Sequence, residues 1–592
     1  MILKCYSSRK TRTSGQPWLS ICFIAMISVF TVLFVNNART ETPNIDGLLV
    51  HVVNPVSSVN ILPTTFPLPG SSSKTIKITA CRGEFEPASF VIRPVENDVS
   101  NLLLIPTDLK SESATISSRY VDIKIVKVWY QGGSAWNNIR ANKEPILVPE
   151  LLLNDDDLIK VDSVNQTNYL KLLTASGQRF VSISNPKPAD ESPLILDVAE
   201  YPVKDSPALQ PLSIPANSNK QFWITIKVPD EATSGLYKGV IHIKEKGRLI
   251  GTLNMELNVL PFTLEKPEIE YSIYYRGQLV DGRGSISSEY KNETQFKAEL
   301  LNLVEHGVRN PTVYQPLKDR VLLKRALALR QQVGISGSPL YYLGIKTENP
   351  GNAYALATYE KQINEMIQLI KPFGITDLYV YGVDEADQQM LLKQKQTWNF
   401  VHQLGAKVFA AGWKSGHFEL IGDIVDLFID GYIPRRSESE KFHQAGHRIF
   451  SYNQPQVGVE NPLVYRKNYG IRLWQLKYDG AMNYAYQHGF GSIWNDFDHP
   501  KFRDHCFTYP TVDGVIDTIA WEGFREGVDD VRYITALEKK IDEAHKSGNF
   551  QKAQFAKDAE SYLESIKTYS GDDLVTVRQQ IVDRILKIDA AH

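Results

Sequence analysis

Between Glu270 and Asn495, eight short strand-like runs alternate with helix-like stretches, and few folds accommodate that pattern. The runs are Glu270–Tyr275, Asn310–Tyr314, Leu340–Ile345, Asp377–Tyr381, Lys407–Ala411, Leu427–Gly431, Arg448–Tyr452 and Ser492–Asn495. Thr294–Glu305, Tyr359–Lys371 and Asp387–Leu404 carry apolar residues at helical spacing between them. Strict alternation reads as parallel strands joined by helical crossovers. Eight such units predict a (β/α)8 TIM-type barrel rather than an open sheet.

The chain before this region reads differently. From Ile45 to Pro261, short runs of period-two alternation are broken by Pro, Ser, Asn and Gly, as in Thr75–Ala80, Ser89–Arg93 and Val121–Val128. That pattern predicts an all-β sandwich. Leu260-Pro261 and Glu265-Lys-Pro267 mark the boundary. After Glu526 the pattern is helical to the end, and Leu574–Leu586 has an apolar face. At 592 residues the chain exceeds one core. The expected organisation is an N-terminal signal segment (1–44), a β-sandwich (45–263), a barrel (264–535) and a helical C-terminal extension (536–592).

Residues 1–44 carry an export signal. Lys4, Arg9, Lys10 and Arg12 precede an uncharged apolar run from Trp18 to Val35. At about 1.5 Å per residue the run reaches roughly 27 Å, near the hydrocarbon thickness of a bilayer. A basic n-region keeps the N-terminus cytoplasmic and sends the rest across. Residues 45–592 are therefore expected outside the cytoplasm, either membrane-anchored by this one segment or secreted after its cleavage. Asn165 and Asn292 head glycosylation sequons.

Composition narrows the partners. Lys and Arg number 65 against 67 Asp and Glu, for a net charge of −2. No basic excess exists to collect phosphates, so nucleic acid is not an expected partner. The four cysteines, Cys5, Cys22, Cys81 and Cys506, form no CxxC pair, which excludes a zinc ribbon or thioredoxin motif. Asp155–Asp157 lacks the glycine a calcium loop needs and reads as a solvated turn. His443 and His447 have metal-ligand spacing but no intervening Glu, and read as a solvated helix face. The dense polar group Asp496, Asp498, His499, Asp504 and His505 reads as loop hydrogen bonding. Glu522, Arg525, Glu526 and Asp530 sit at helical spacing and read as internal ion pairs. No metal or cofactor is expected.

Barrel active sites lie at the C-terminal ends of the strands. Those ends supply Tyr275-Arg276, Tyr314-Gln315, Tyr381–Glu385, Trp413-Lys414, Asp430–Tyr432, Tyr452-Asn453 and Trp494–Asp496. Such a ring of aromatics, carboxylates and amides suits a sugar, whose CH faces stack on rings and whose hydroxyls need polar ligands. The sharpest feature is Tyr381-Gly-Val-Asp-Glu-Ala386. Neighbours on a regular strand point to opposite faces. Asp384 and Glu385 serve one pocket only if the backbone twists as it leaves the sheet, and Gly382 would ease that. Two close carboxylates push one pKa up, which leaves a general acid beside a charged stabiliser.

This Tyr-x-x-Asp-Glu motif resembles that of glycoside hydrolase family 123, β-N-acetylgalactosaminidases with an N-terminal β-sandwich and a catalytic barrel. Tyr509-Pro510 and Gly514–Tyr533 resemble the family's C-terminal signature through Trp521, Glu522, Arg525, Glu526, Gly527, Asp530 and Tyr533. Arg82–Ala88 and Trp223–Tyr237 resemble its sandwich portion. The sequence departs from the family pattern at Ala386, where proline is usual, and at Ala520, where arginine is usual. The resemblance implies retaining, substrate-assisted hydrolysis. Glu385 would be the general acid and base, and Asp384 would orient the substrate's acetamido N–H. Tyr452 would bond the acetamido oxygen. Strand position adds Trp494 and Trp413 as stacking platforms, and Asn495, Asp496, Arg276 and Tyr381 as further substrate ligands. Two other readings stand beside this one: a surface carbohydrate-binding protein without activity, and a hydrolase pairing Glu385 with Asp430 or Asp496.

Overall fold

A computed structural model describes residues 44–591 except 133–143, 187–191, 336, 349–350, 453–454 and 500–501. Trp18–Val35, Cys5, Cys22 and Asn453 therefore lie outside the described residues. No helix among the described residues is long and apolar enough to cross a membrane.

The N-terminal half is built from two facing sheets. One is antiparallel, in the order Leu48–Val53, Phe85–Pro94, Lys220–Lys227, Val121–Gln131, Ile146–Leu153. The other runs Leu212–Ile214, Val99–Pro106, Gly235–Glu245, Arg248–Thr263, Thr75–Arg82, with only the last pair parallel. Period-two alternation decides what each strand buries. In Lys220–Lys227, Phe222, Ile224 and Ile226 enter the core between the sheets with Phe90, Tyr237 and Leu257. Trp223 points the other way, onto the C-terminal helices. A small third sheet, Ile159–Asp162, Thr167–Thr174 and Gly177–Ser182, adjoins them. The acidic turn before it is not simply solvated. Asp156 pairs with Lys127 at 3.0 Å and Lys220 at 2.9 Å, and Asp155 pairs with Lys171.

The second half centres on a wholly parallel sheet. Its order is Glu270–Ile273, Gly480–Asn483, Arg448–Ser451, Leu427–Asp430, Lys407–Gly412, Leu378–Tyr381, Leu340–Lys346. One face buries Val380, Val408, Ala410, Phe428 and Ile449 against the crossover helices. The other gathers Tyr341, Tyr379, Phe409, Ile429, Phe450 and Met482.

Seven regular strands form this sheet, not the eight of the expected barrel. Asn310–Tyr314 forms no strand. Pro311 has no N–H to give. The segment makes only a bridge from Val313 to Tyr342, with backbone bonds to Ile273 and Tyr341. Ser492–Asn495 is a buried loop, not the last strand. That place belongs to Gly480–Asn483, whose Gly-Ala-Met-Asn composition carries no β-branched residue. Glycine is needed there because a Cβ on Gly480 would lie 2.5 Å from the Glu270 carbonyl oxygen.

Helix Ile519–Lys546 continues without a break past position 535, followed by Phe550–Ile566 and Leu574–Ala590. Together they bury Leu537, Leu563 and Ile585 against Trp223, Val126 and Phe262 of the sandwich. The charges of the signature segment pair internally across this junction. Asp530 holds Arg466 and Arg578 at 2.7 Å each. Arg578 reaches Glu526 at 2.9 Å and Glu86 at 3.1 Å. Glu522 pairs with Arg525 and accepts from Trp223 Nε1 at 3.1 Å. Tyr533 donates to Glu84 at 2.9 Å.

Candidate active site

Strand Leu378–Tyr381 ends at Tyr381, and Gly382–Asp387 form the turn into helix Gln388–Gln403. Glu385 has φ +45°, a left-handed conformation that non-glycine residues seldom adopt. The twist that lets two consecutive carboxylates each meet a buried tyrosine is therefore at Glu385 itself. Gly382 has a different task. A Cβ there would lie 3.0 Å from Trp398 Cζ2 and 3.1 Å from Ala410 Cβ, so the strand must pass close beneath the helix.

Each carboxylate has its own tyrosine. Tyr381 donates to Asp384 Oδ1 at 2.5 Å. Tyr452, just past strand Arg448–Ser451, donates to Glu385 Oε1 at 2.5 Å. Both tyrosines are buried, and both carboxylates remain exposed to solvent. Three influences act on Glu385. Desolvation against the wall raises its pKa, the Tyr452 hydroxyl opposes this, and the Asp384 charge raises it again. The net direction is up, toward a carboxyl that keeps its proton longer than a free glutamate.

A chain of contacts leads away from Asp384. Tyr381 meets Tyr274 hydroxyl to hydroxyl at 3.3 Å, and Tyr274 packs on Tyr484 with centroids 5.4 Å apart. Arg276 Nη1 donates to the Tyr484 hydroxyl at 3.3 Å, pairs with Glu289, and lies 5.6 Å from the Tyr314 ring. Tyr484 also shares a 2.9 Å hydrogen bond with His488 Nδ1. Desolvation holds His488 neutral, well below its usual range. The result is a connected group of hydroxyls, one guanidinium and ring faces beside Asp384.

Of the residues expected from sequence, the structure brings Asp384, Glu385, Tyr381, Tyr452 and Arg276 into this constellation. Trp413 stands half exposed on the rim, with the Lys414 ammonium 5.0 Å from its ring centre. Trp494, Asn495 and Asp496 go elsewhere. Trp494 is 1% exposed, packs on Tyr509 at 4.9 Å and Trp129 at 6.3 Å, and donates to the Pro510 carbonyl. Asn495 donates to the Asn185 carbonyl at 2.9 Å. Asp496 accepts from Gly132 N and Asp504 N and pairs with Arg503 at 2.7 Å. These three fasten the barrel-side loop to the sandwich because the expected last strand is not a strand. Asp430 is also committed, accepting from Tyr432 N at 2.9 Å and the Tyr478 hydroxyl at 2.7 Å.

Sequence reading missed Tyr274, Tyr484, Glu289 and His488. Tyr274 and Tyr275 are neighbours with opposite fates. Tyr274 joins the tyrosine group, while Tyr275 turns to the helix side and donates to Glu299 at 2.7 Å. The period-two rule applied one residue earlier would have found Tyr274. Tyr484 follows a strand that the sequence pattern conceals.

The chain joins a β-sandwich to a parallel β/α sheet, with adjacent carboxylates just past one strand of that sheet. Residues 135–245 match the model of the glycoside hydrolase 123 N-terminal domain. The whole fold is similar to a solved family 123 glycoside hydrolase from Clostridium perfringens, described for its hydrolysis of glycolipid glycans, with a TM-score of 0.59 and 13% identity over 91% of this chain and 98% of that one. The chain thus has the family 123 glycoside hydrolase fold. Two further structures are far less alike. A Bacteroides ovatus xyloglucanase has a TM-score of 0.27 and 7% identity over 81% of this chain and 100% of its own. A Cordyceps militaris endo-β-N-acetylglucosaminidase has 0.28 and 11% over 45% and 92%. No curated protein matches the chain by sequence.

Proposed function

We propose that this protein is an exported glycoside hydrolase that removes terminal N-acetyl-β-hexosamine, N-acetylgalactosamine preferred, by a retaining, substrate-assisted mechanism. The observation that carries the reading is the turn at Glu385, which sets Asp384 and Glu385 side by side with a separate tyrosine on each. The family 123 fold and the glycolipid-glycan activity of the Clostridium perfringens relative support it.

The raised Glu385 carboxyl gives its proton to the glycosidic oxygen as the bond to the anomeric carbon breaks. The substrate's 2-acetamido oxygen forms the new bond to that carbon, giving an oxazolinium ion. Asp384 accepts from the acetamido N–H and balances the positive charge. Glu385, now a carboxylate, takes a proton from water as its oxygen opens the ring, so the β configuration returns. Such assistance needs no protein nucleophile. Tyr452 enters as the positioner of Glu385, since its hydroxyl is already given to that carboxylate. Pairing Glu385 with Asp430 or Asp496 is disfavoured, because both partners are bound by other donors.

The test is hydrolysis of aryl N-acetyl-β-galactosaminide and glucosaminide, followed for anomeric configuration. Cleavage with retention supports the reading. Binding of N-acetylgalactosamine without turnover would make the protein a carbohydrate-binding one, and inversion would end the substrate-assisted mechanism. Export rests on Lys4–Val35 of the sequence. Protease added to intact cells should reach residues 45–592, or they should appear in the medium. Protection alongside a cytoplasmic marker would overturn export.

A further inference from the structure

Tyr452 and Glu385 follow strands that do not pair with each other. Strands Leu427–Asp430 and Lys407–Gly412 lie between theirs in the sheet. The tyrosine ring must therefore cross the ends of both to bring its hydroxyl to Glu385 Oε1. The register of the sheet decides what the ring meets first. Asp430 is paired with Ser451, so one step further on Gly431 stands abreast of Tyr452. Gly431 leaves no room for a side chain of its own. A Cβ there would lie 2.4 Å from each of Cε1, Cζ and Oη of the Tyr452 ring. Ordinary carbon contacts are about 3.5–4.0 Å, so a methyl group would have to displace the ring by about 1 Å. The Gly431 backbone is not in the left-handed region, so what is required is space and not an unusual turn.

Neither backbone is free to step aside. Tyr452 N donates to the Asp430 carbonyl at 3.1 Å, and Gly431 N donates to the Gly412 carbonyl at 2.8 Å. The buried Asp430 side chain fastens the same segment again. Its Oδ1 accepts from Tyr432 N at 2.9 Å, and its Oδ2 accepts from the Tyr478 hydroxyl at 2.7 Å. That hydroxyl in turn accepts from Arg435 N at 3.3 Å. Residues on both sides of Gly431 are therefore tied down, and any strain falls on the tyrosine ring. Rotation about its side-chain bonds moves the hydroxyl most, because that atom lies farthest from the backbone.

We propose that Gly431 is a positioning residue: its bare α-carbon is the seat over which Tyr452 reaches Glu385, and Asp430 holds that seat in place. The consequence for catalysis rests on the reading of Glu385 as the general acid. The consequence for Glu385 itself rests on the geometry alone. Asp430, a buried carboxyl that the reaction does not use, thereby acquires a task. It works through Gly431 and Tyr452 and touches no reacting atom.

The experiment follows the titration of Glu385 by NMR of the carboxyl-labelled full-length protein. It compares the unaltered chain with Gly431→Ala, Tyr452→Phe, the double variant and Tyr478→Phe. Besides desolvation, Tyr452 and Asp384 act on Glu385, and only the first is disturbed. Gly431→Ala should raise the Glu385 pKa, as Tyr452→Phe does. The double variant should go no higher than Tyr452→Phe alone, since both changes break one bond and their effects cannot add. Tyr478→Phe loosens Asp430 and should give a smaller shift of the same sign. In Gly431→Ala, kcat on a substrate with a sugar leaving group should fall about tenfold to a hundredfold, the order expected when a group is misplaced by about 1 Å, with KM little changed. An unchanged Glu385 titration in Gly431→Ala overturns the proposal whatever its melting temperature, because lost stability alone does not move that pKa. Additive shifts in the double variant overturn it too. Should Gly431→Ala fail to fold, an unshifted Glu385 in Tyr478→Phe is the overturning result. The expected titrations in a protein that cleaves no N-acetylhexosaminide would uphold the seat of Tyr452 and remove the glycosidase reading instead.

Discussion

The hydroxyl of Tyr452 lies 2.5 Å from Glu385 Oε1, across two intervening strands from the strand that carries the carboxylate. With the Tyr381–Asp384 bond it holds two adjacent side chains in one orientation that a regular strand would forbid. The backbone cost of a non-glycine at φ +45° is about 1–3 kcal/mol, and such strain persists where surrounding contacts over-determine it. Here the over-determining contacts are the two tyrosines.

This relationship fixes the sign of a pH effect. Tyr452 lowers the Glu385 pKa, against desolvation and the Asp384 charge, which raise it. Tyr452→Phe removes the lowering influence, so the pKa rises further. A general acid works while protonated, so the alkaline limb of the kcat/KM profile should move to higher pH. Asp384→Asn removes a raising influence, and Glu385 should titrate lower, as read by NMR of a carboxyl-labelled protein. Shifts in the same direction for both variants would show that the two carboxylates are not coupled as the geometry requires.

Glu385→Gln keeps the shape of the side chain but has no proton to give. The loss on a poor leaving group such as a sugar should be about 10²–10⁴-fold. An activated aryl leaving group needs little protonation and should suffer much less in the first step. Asp384→Asn should hurt both, because it loosens the acetamido nucleophile rather than the leaving group. A 2-hydroxyl glycoside should turn over poorly in every case. Full activity of Glu385→Gln on both leaving groups would move the site elsewhere.

Arg578 ties helix Leu574–Ala590 to Glu526 and Asp530 of the long helix and to Glu86 of the sandwich. Arg578→Ala leaves three buried carboxyls short of a cation, a class of change that costs about 3–5 kcal/mol. Glu86 and Glu526 already sit above the usual carboxylate range, chiefly through burial. A carboxyl with a raised folded pKa gives stability that is present at low pH and lost as pH rises through that pKa. Losing Arg578 raises both further, so the deficit in melting temperature should be larger at pH 8 than at pH 5. An equal deficit at the two pH values would mean that the carboxyls are already neutral in the unaltered protein.

The layered plan was legible because it rests on period. Phe222, Ile224 and Ile226 alternate with solvent- or helix-facing neighbours, and Val408 and Ala410 alternate with Phe409 and Ala411, as their spacing dictates. Asp384 and Glu385 were legible because the pair follows a strand that alternates with helices, the place where such folds carry their sites. What escaped was carried by weak patterns. Gly480–Asn483 is a strand by virtue of its neighbours, since Glu270–Ile273 and Arg448–Ser451 supply the partners that its own residues do not advertise. Once that strand was missed, Tyr484 vanished from view, and Trp494–Asp496 were put at a strand end that does not exist. The charges of Glu526 and Asp530 were visible as helical spacing, but their partners Arg466 and Arg578 lie outside that helix, Arg578 also reaches Glu86 of the sandwich, and only folding joins them.

Trp494 offers the cleanest contrast between position in sequence and place in the fold. Read from strand order it would stack on a sugar. In the structure it is enclosed by Trp129, Tyr509 and the Pro510 carbonyl, on the side where the loop meets the sandwich. Removing a buried tryptophan ring costs about 3–5 kcal/mol through lost transfer energy and the cavity left behind. Trp494→Ala should therefore lower the melting temperature sharply, while KM for the aryl glycoside, measured on the folded fraction at low temperature, stays near that of the unaltered protein. Trp494→Phe should recover part of the stability, because the ring contacts survive and only the indole N–H bond to Pro510 is lost. A large rise in KM with an unchanged melting temperature would return Trp494 to the substrate site.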